Sequence, residues 1–122
     1  MDKQQKQKSY RQGLWAENLA ALYLMLKGYR IMERRYKTKV GEIDLIGKKG
    51  KSLLFIEVKI RKDMDMALSA VNKSSQKRIQ RAAEYFLSTR QEYADYALRF
   101  DLIAMAPPFH LRHLDNAWQI RA

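Results

Sequence analysis

Two apolar runs, Gly41-Glu42-Ile43-Asp44-Leu45-Ile46 and Leu53-Leu54-Phe55-Ile56-Glu57-Val58-Lys59-Ile60, carry charged residues at alternate positions. That alternation has the period of a β-strand, whose successive side chains leave on opposite faces. It predicts strands near 40–47 and 53–61, joined by the hairpin-like Gly47-Lys48-Lys49-Gly50-Lys51-Ser52. With Gly50-Lys51 as a two-residue turn, Lys49 faces Ser52, Asp44 faces Glu57, and Glu42 faces Lys59. Three carboxylates and an ammonium then share one patch of sheet, where charge is costly unless something compensates it.

The remaining pattern is simpler. Residues 1–9 are polar, rich in lysine and glutamine, and read as a disordered basic arm. Residues 10–27 predict a helix stopped by Gly28. A strand is expected from Ile31 to Lys39, although basic residues blur its alternation. Residues 62–73 read as an irregular connection with a turn of helix at Ala67–Val71. Ile79, Ala82, Ala83 and Phe86 follow helical spacing and predict a helix over 74–90, N-capped by Ser74 or Ser75. Leu98, Phe100 and Leu102 mark a strand over 97–105, which Pro107-Pro108 breaks, and 109–114 reads as a last edge strand. The order α-β-β-β-α-β is that of an α/β domain, a mixed sheet flanked by helices, occupying residues 10–122.

Composition adds partners and excludes some chemistries. A chain of 122 residues, 47% hydrophobic, is one globular domain able to bury a core. It has no cysteine, which rules out disulfides and thiolate metal sites. The net charge of +11 points to a polyanionic partner, nucleic acid before membrane, although solubility alone is the plain alternative. Residues 1–40 hold ten Lys/Arg and three acids, residues 41–66 six and five, so a nearly balanced patch is flanked by a basic arm. The apolar stretch 14–26 is shorter than the ~20 residues of a membrane span and lacks a small-residue cleavage site, so a core helix and a cytoplasmic protein are expected. His110 and His113 are too few for a zinc site and read as exposed strand residues. Arg99 and Asp101 read as a strand-borne pair. Tyr10, Trp15, Tyr29 and Tyr36 lie among basic residues, available either to the core or to unpaired bases.

Glu17 falls, at about 100° per residue, in the arc of Leu14, Ala21 and Leu24. A carboxylate on an apolar stripe needs a salt bridge, a proton or a metal. Here the chain becomes familiar. Gly13, Glu17, Ala20, Ala21, Leu24, Gly28 and Tyr29, then GEIDLI, FIEVK-x-R, AAEYFL, Arg99-Phe100-Asp101 and His113-Leu114-Asp115-Asn116-Ala117-Trp118, resemble the YraN family of small bacterial proteins. The resemblance implies a restriction-endonuclease-like fold and the PD-(D/E)xK nuclease superfamily. It carries the metal-binding aspartate onto Asp44, the second acidic ligand onto Glu57, the catalytic lysine onto Lys59, and the first-helix acid onto Glu17. Ile43 stands where the motif has proline. The second helix lacks the expected basic or amide residue near Ser75, for which Lys73, Gln76 and Lys77 are the substitutes. Arg61 of the FIEVK-x-R motif and Arg11 of the basic helix are the other expected nucleic-acid contacts.

The chemistry agrees with that expectation. A phosphodiester repels hydroxide, so its hydrolysis needs charge neutralisation and a nucleophile at neutral pH. Mg²⁺ (or Mn²⁺) supplies both and accepts a few carboxylates plus retained waters. Asp44 and Glu57 would provide two oxygen ligands and the Val58 carbonyl a third, while Lys59 would orient water or stabilise developing charge. The plainer alternative is a Lys59–Glu42 cross-strand pair worth ~0.2–1 kcal/mol, which leaves Asp44 and Glu57 repelling each other. The expected function is a Mg²⁺-dependent endonuclease acting on DNA rather than RNA, and the resemblance to the superfamily implies structured or branched DNA as substrate. The alternatives are a non-catalytic nucleic-acid-binding protein keeping the nuclease fold and, further off, a peripheral membrane protein using the basic arm.

Overall fold

The computed structural model describes residues 2–108 and 110–118. Its centre is a five-stranded mixed sheet ordered β1-β2-β3-β4-β5, with β1 at Arg30–Lys37, β2 at Glu42–Lys49, β3 at Ser52–Ile60, β4 at Ala97–Ala106 and β5 at His110–Trp118. All neighbours are antiparallel except β3 and β4. That parallel pair is joined by a crossover through α2 (Met64–Leu68) and α3 (Lys73–Ser88), as a parallel connection requires. The β2–β3 hairpin has the expected register: Lys49 faces Ser52, and pairing runs to Leu45 opposite Ile56. Gly50 has φ +58, a left-handed turn conformation that glycine adopts without cost.

Helix α1 spans Lys3–Leu26 and covers one face of the sheet. Residues 3–9, expected as a disordered arm, are helical. Asp2 Oδ1 accepts from the Gln5 N–H at 2.8 Å while Gln5 Oε1 accepts from the Asp2 N–H at 3.1 Å, a capping box that satisfies orphan donors at the helix start. At the other end Gly28, φ +94, allows Tyr29 N to reach the Leu24 carbonyl and Gly28 N that of Met25, a Schellman stop. Small Ala16, Ala20 and Ala21 with Leu24 seat α1 closely on Leu45, Leu54, Ile56, Ile103 and Met105.

The opposite face is covered by α3, whose Ile79, Ala82, Ala83 and Phe86 pack over Phe55, Phe100 and Leu102. Its N-cap is Asn72, not the expected Ser74 or Ser75. The Asn72 side-chain oxygen accepts from the Ser75 N–H at 2.9 Å, which places Ser75 inside the first turn. Strand β3 is buried on both faces from Leu53 to Ile56, the unbroken apolar run expected of a central strand. The expected helical turn at 67–71 lies earlier, as α2, because Asp63 caps it through the Met66 N–H. The edge strand begins at His110 and runs to Trp118, past the expected 114; Phe109, in that expected strand, lies outside the described residues. Two helical layers around a mixed sheet make a restriction-endonuclease-like α/β fold.

Candidate active site

One end of the hairpin, where β2 begins and β3 ends, carries the charges. Beyond the last paired residues, Leu45 and Ile56, Asp44 and Glu57 are the next partners in register. The Val58 N–H donates to Asp44 Oδ2 at 2.8 Å, which fixes the aspartate across the strand gap. Lys59 Nζ lies 3.1 Å from Glu57 Oε1, with only 24% and 12% of the two side chains exposed. The lysine therefore pairs along its own strand rather than with Glu42. Burial, and next the Glu57 charge, push the Asp44 carboxyl up to about 7, against the pull of the Val58 N–H and Lys59. Two carboxylates held this close repel each other unless a proton or cation joins them.

Glu17 reaches the same region from α1. With Tyr10, Arg35, Lys37, Glu42, Ile43 and Asp44 it lines a hollow of about 200 Å³. It is not free there, because Arg35 Nε donates to Glu17 Oε1 at 2.9 Å. Arg35 has φ +52, a left-handed backbone costly for a residue with a Cβ. It stands between Arg34 and Tyr36, which pair with Leu45 and Ile43, so it is the strand neighbour of Asp44. Sequence reading did not single it out. The only signal was the basic run that blurred the alternation of β1.

Among the described residues, no group of three or more His, Cys, Asp or Glu side chains is gathered to hold a metal ion. The candidate donors are thus Asp44 and Glu57 with the Val58 carbonyl. This is an all-oxygen, carboxylate-poor set of the kind Mg²⁺ takes while keeping several waters.

The expected nucleic-acid residues divide. Arg61 lines a groove of about 870 Å³ with Lys8, Gln12, Lys59 and Lys62, and Arg11 lines the neighbouring hollow along α1. Lys73 and Lys77 are exposed and Gln76 half-buried at the start of α3, and none of the three lines these grooves.

A second polar cluster lies on the β4–β5 side of the sheet. Asp101 is fully buried yet accepts from Arg99 Nη2 and from the Asn116 N–H and contacts His113 Nε2, at 2.7, 2.9 and 2.7 Å. Burial alone would raise its carboxyl; the His113, Arg99 and Asn116 hydrogen bonds outweigh that and hold it below the ordinary 3.8. His113 is thus not the exposed strand residue expected, its side chain being only 7% exposed. The bulge that aims the Asn116 N–H at Asp101, with Asn116 at φ +51 and its side chain exposed, has no sequence signature beyond an Asn that tolerates left-handed backbone.

The five-stranded mixed sheet between helical layers gives the class, a restriction-endonuclease-like α/β protein. The comparisons give the family. The model of the uncharacterised protein family UPF0102 matches residues 16–105. A UPF0102 protein of Mesorhizobium japonicum is 44% identical over 113 residues, covering 93% of this chain and 90% of its own. One from Rhodopseudomonas palustris is 50% identical over 110 residues, covering 90% and 85%. One from Bartonella bacilliformis is 40% identical over 122 residues, covering 98% and 100%. The chain belongs to the UPF0102 family, which is the YraN family. Among the described residues, no helix is long and apolar enough to cross a membrane.

Proposed function

We propose that this chain is a metal-dependent nuclease that hydrolyses phosphodiester bonds in DNA, structured or branched DNA in particular, in the cytoplasm. The observation that carries the reading is the Asp44–Glu57 pair, anchored by the Val58 N–H and flanked by Lys59 at 3.1 Å from Glu57. Asp44, Glu57 and the Val58 carbonyl would hold Mg²⁺ (or Mn²⁺), which supplies charge neutralisation and an acidified water when bound. Lys59 would hold the attacking water or the charge that develops on phosphorus oxygens. Glu17, tethered by Arg35, is a second-line acid at the same hollow. Basic residues around the site would draw in the phosphate backbone.

Cleavage of labelled single-stranded, duplex, flapped and four-way-junction DNA, and of matching RNA, tests this directly. Wild type and Glu57→Ala are purified in parallel with Mg²⁺ or Mn²⁺ present. Loss of more than ~100-fold in cleavage by Glu57→Ala, with binding retained, is the expected result. Equal binding by both proteins without cleavage by either would instead favour a nucleic-acid-binding protein that keeps the nuclease fold.

A further inference from the structure

We propose that an unpaired nucleic-acid strand runs from the site along a basic trough beside α1, with Trp15 as the platform on which one base stacks. The inference rests on the nucleic-acid reading of the site and adds to it a substrate feature, a single-stranded arm. Gln4, Lys8, Arg11 and Trp15 recur at i, i+4, i+7 and i+11, so one face of α1 presents all four. They line a hollow of about 610 Å³ that also touches Ile60 and Pro107. The 870 Å³ groove that contains Lys59 shares Lys8, Gln12, Ile60 and Pro107 with it, so the two form one trough from Trp15 to the candidate catalytic lysine. Gln4 to Trp15 alone covers about 16 Å of helix.

The lining of this trough is one-sided in charge. Lys8, Arg11, Lys59, Arg61 and Lys62 contribute to it, and among the described residues no acid does. That suits a phosphate backbone. Trp15 decides which kind of backbone. Four aromatics lie among basic residues, and three are engaged. Tyr10 sits 5.4 Å from the Arg35 guanidinium, Tyr29 lies under Lys49 and Arg99, and Tyr36 packs edge-on to Phe86. Trp15 is 50% exposed, and among the described residues it joins no ring or cation pair. A duplex keeps its bases stacked on one another and offers this indole only phosphates. An unpaired strand offers a base face, and base–aromatic stacking is tolerant of sequence.

The test uses tryptophan emission in EDTA, where no metal supports cleavage. Trp118, 8% exposed and stacked on Phe100, serves as the internal silent fluorophore. Titrants are a blunt duplex, the same duplex with a single-stranded DNA tail, the same with an RNA tail, and heparin as a polyanion without bases. We expect quenching by tailed duplexes only. Followed by the anisotropy of end-labelled duplexes, with heparin as competitor, Trp15→Ala should lose about 5- to 100-fold in affinity for the tailed duplexes while binding blunt duplex and heparin as wild type does. Trp15→Tyr should recover most of that loss, which separates stacking from a merely structural role. The DNA and RNA tails show which strand the trough takes. Equal loss towards heparin, or unquenched emission with tailed duplex, overturns the proposal. Failure of cleavage in Mg²⁺ with tail binding intact would instead remove the nuclease reading and leave this one standing. Cleavage without tail preference would do the reverse.

Discussion

Asp44 and Asp101 are both withdrawn from water, and their neighbours push them in opposite directions. Asp44 faces another carboxylate and is raised to about 7, by burial first and Glu57 second. At pH 8, without metal, its negative charge is therefore a burden on the fold. Asp44→Asn keeps an oxygen to accept the Val58 N–H and should stabilise the EDTA-treated protein at pH 8 by about 1–3 kcal/mol. The same variant should lose the rise in melting temperature that Mn²⁺ gives wild type through mass action. A scanning calorimetry series with and without Mn²⁺ checks both halves, and a Mn²⁺ shift retained by the variant would sink the metal assignment. Asp101 is the opposite case. Its depressed carboxyl contributes stability that is present above the ordinary 3.8 and lost as pH falls through the lower folded value. Asp101→Asn, which leaves Arg99 and His113 short of an anion, should cost ~2–4 kcal/mol at pH 7. The gap should close below pH 3.8, as urea unfolding at the two pH values would show. Asp44, Glu57 and Lys59 were legible one by one from the alternation, and Glu17 from its place on the helical arc. Arg35 and His113 were not, because their roles depend on partners 18 and 12 positions away in sequence.

Elements are placed by their ends. The Gly41 of GEIDLI looks like a turn residue, but its φ lies outside the left-handed region. What it provides is space. A Cβ there would lie 2.0 Å from the Arg78 carbonyl oxygen, so α3 rests directly on the start of β2. Gly41→Ala must lift α3 away from the sheet, and a loss of ~1–3 kcal/mol is expected, measured as a lower urea midpoint with an unchanged slope. A neutral result would mean that α3 yields at little cost. Helix periodicity revealed α3 and the core of α1, because packing selects Ile79, Ala82, Ala83 and Phe86 on one side and Ala16, Ala20 and Leu24 on the other. It could not reveal the first turns of α1, where exposed Lys and Gln carry no apolar stripe and the signal is only the Asp2–Gln5 cap.

At the scale of the whole molecule, the surplus charge of +11 becomes a directed field only when α1 is laid beside the end of β3. Removing residues 2–9, which are exposed throughout, should leave stability within ~0.5 kcal/mol of wild type. It should also flatten the salt dependence of DNA binding, by about one unit of slope for each phosphate that the shortened helix no longer neutralises. Filter-binding from low to high salt would show this, and an unchanged slope would place the nucleic acid elsewhere.

By itself the sequence determined the hairpin, its register from Lys49 opposite Ser52 to Leu45 opposite Ile56, the family and the kind of fold. These follow from local periodicity, from a glycine turn and from short motifs, all of which act over a few residues. Tertiary structure alone decided that Glu17 is held by Arg35, that Lys59 pairs with Glu57 and not Glu42, and that His113 is buried against Asp101. It also decided that Trp15 and the basic end of α1 line the same trough as the candidate catalytic lysine. Each of those depends on which face of one element meets another across the fold, and side-chain reach across that gap is not written in any single stretch of chain.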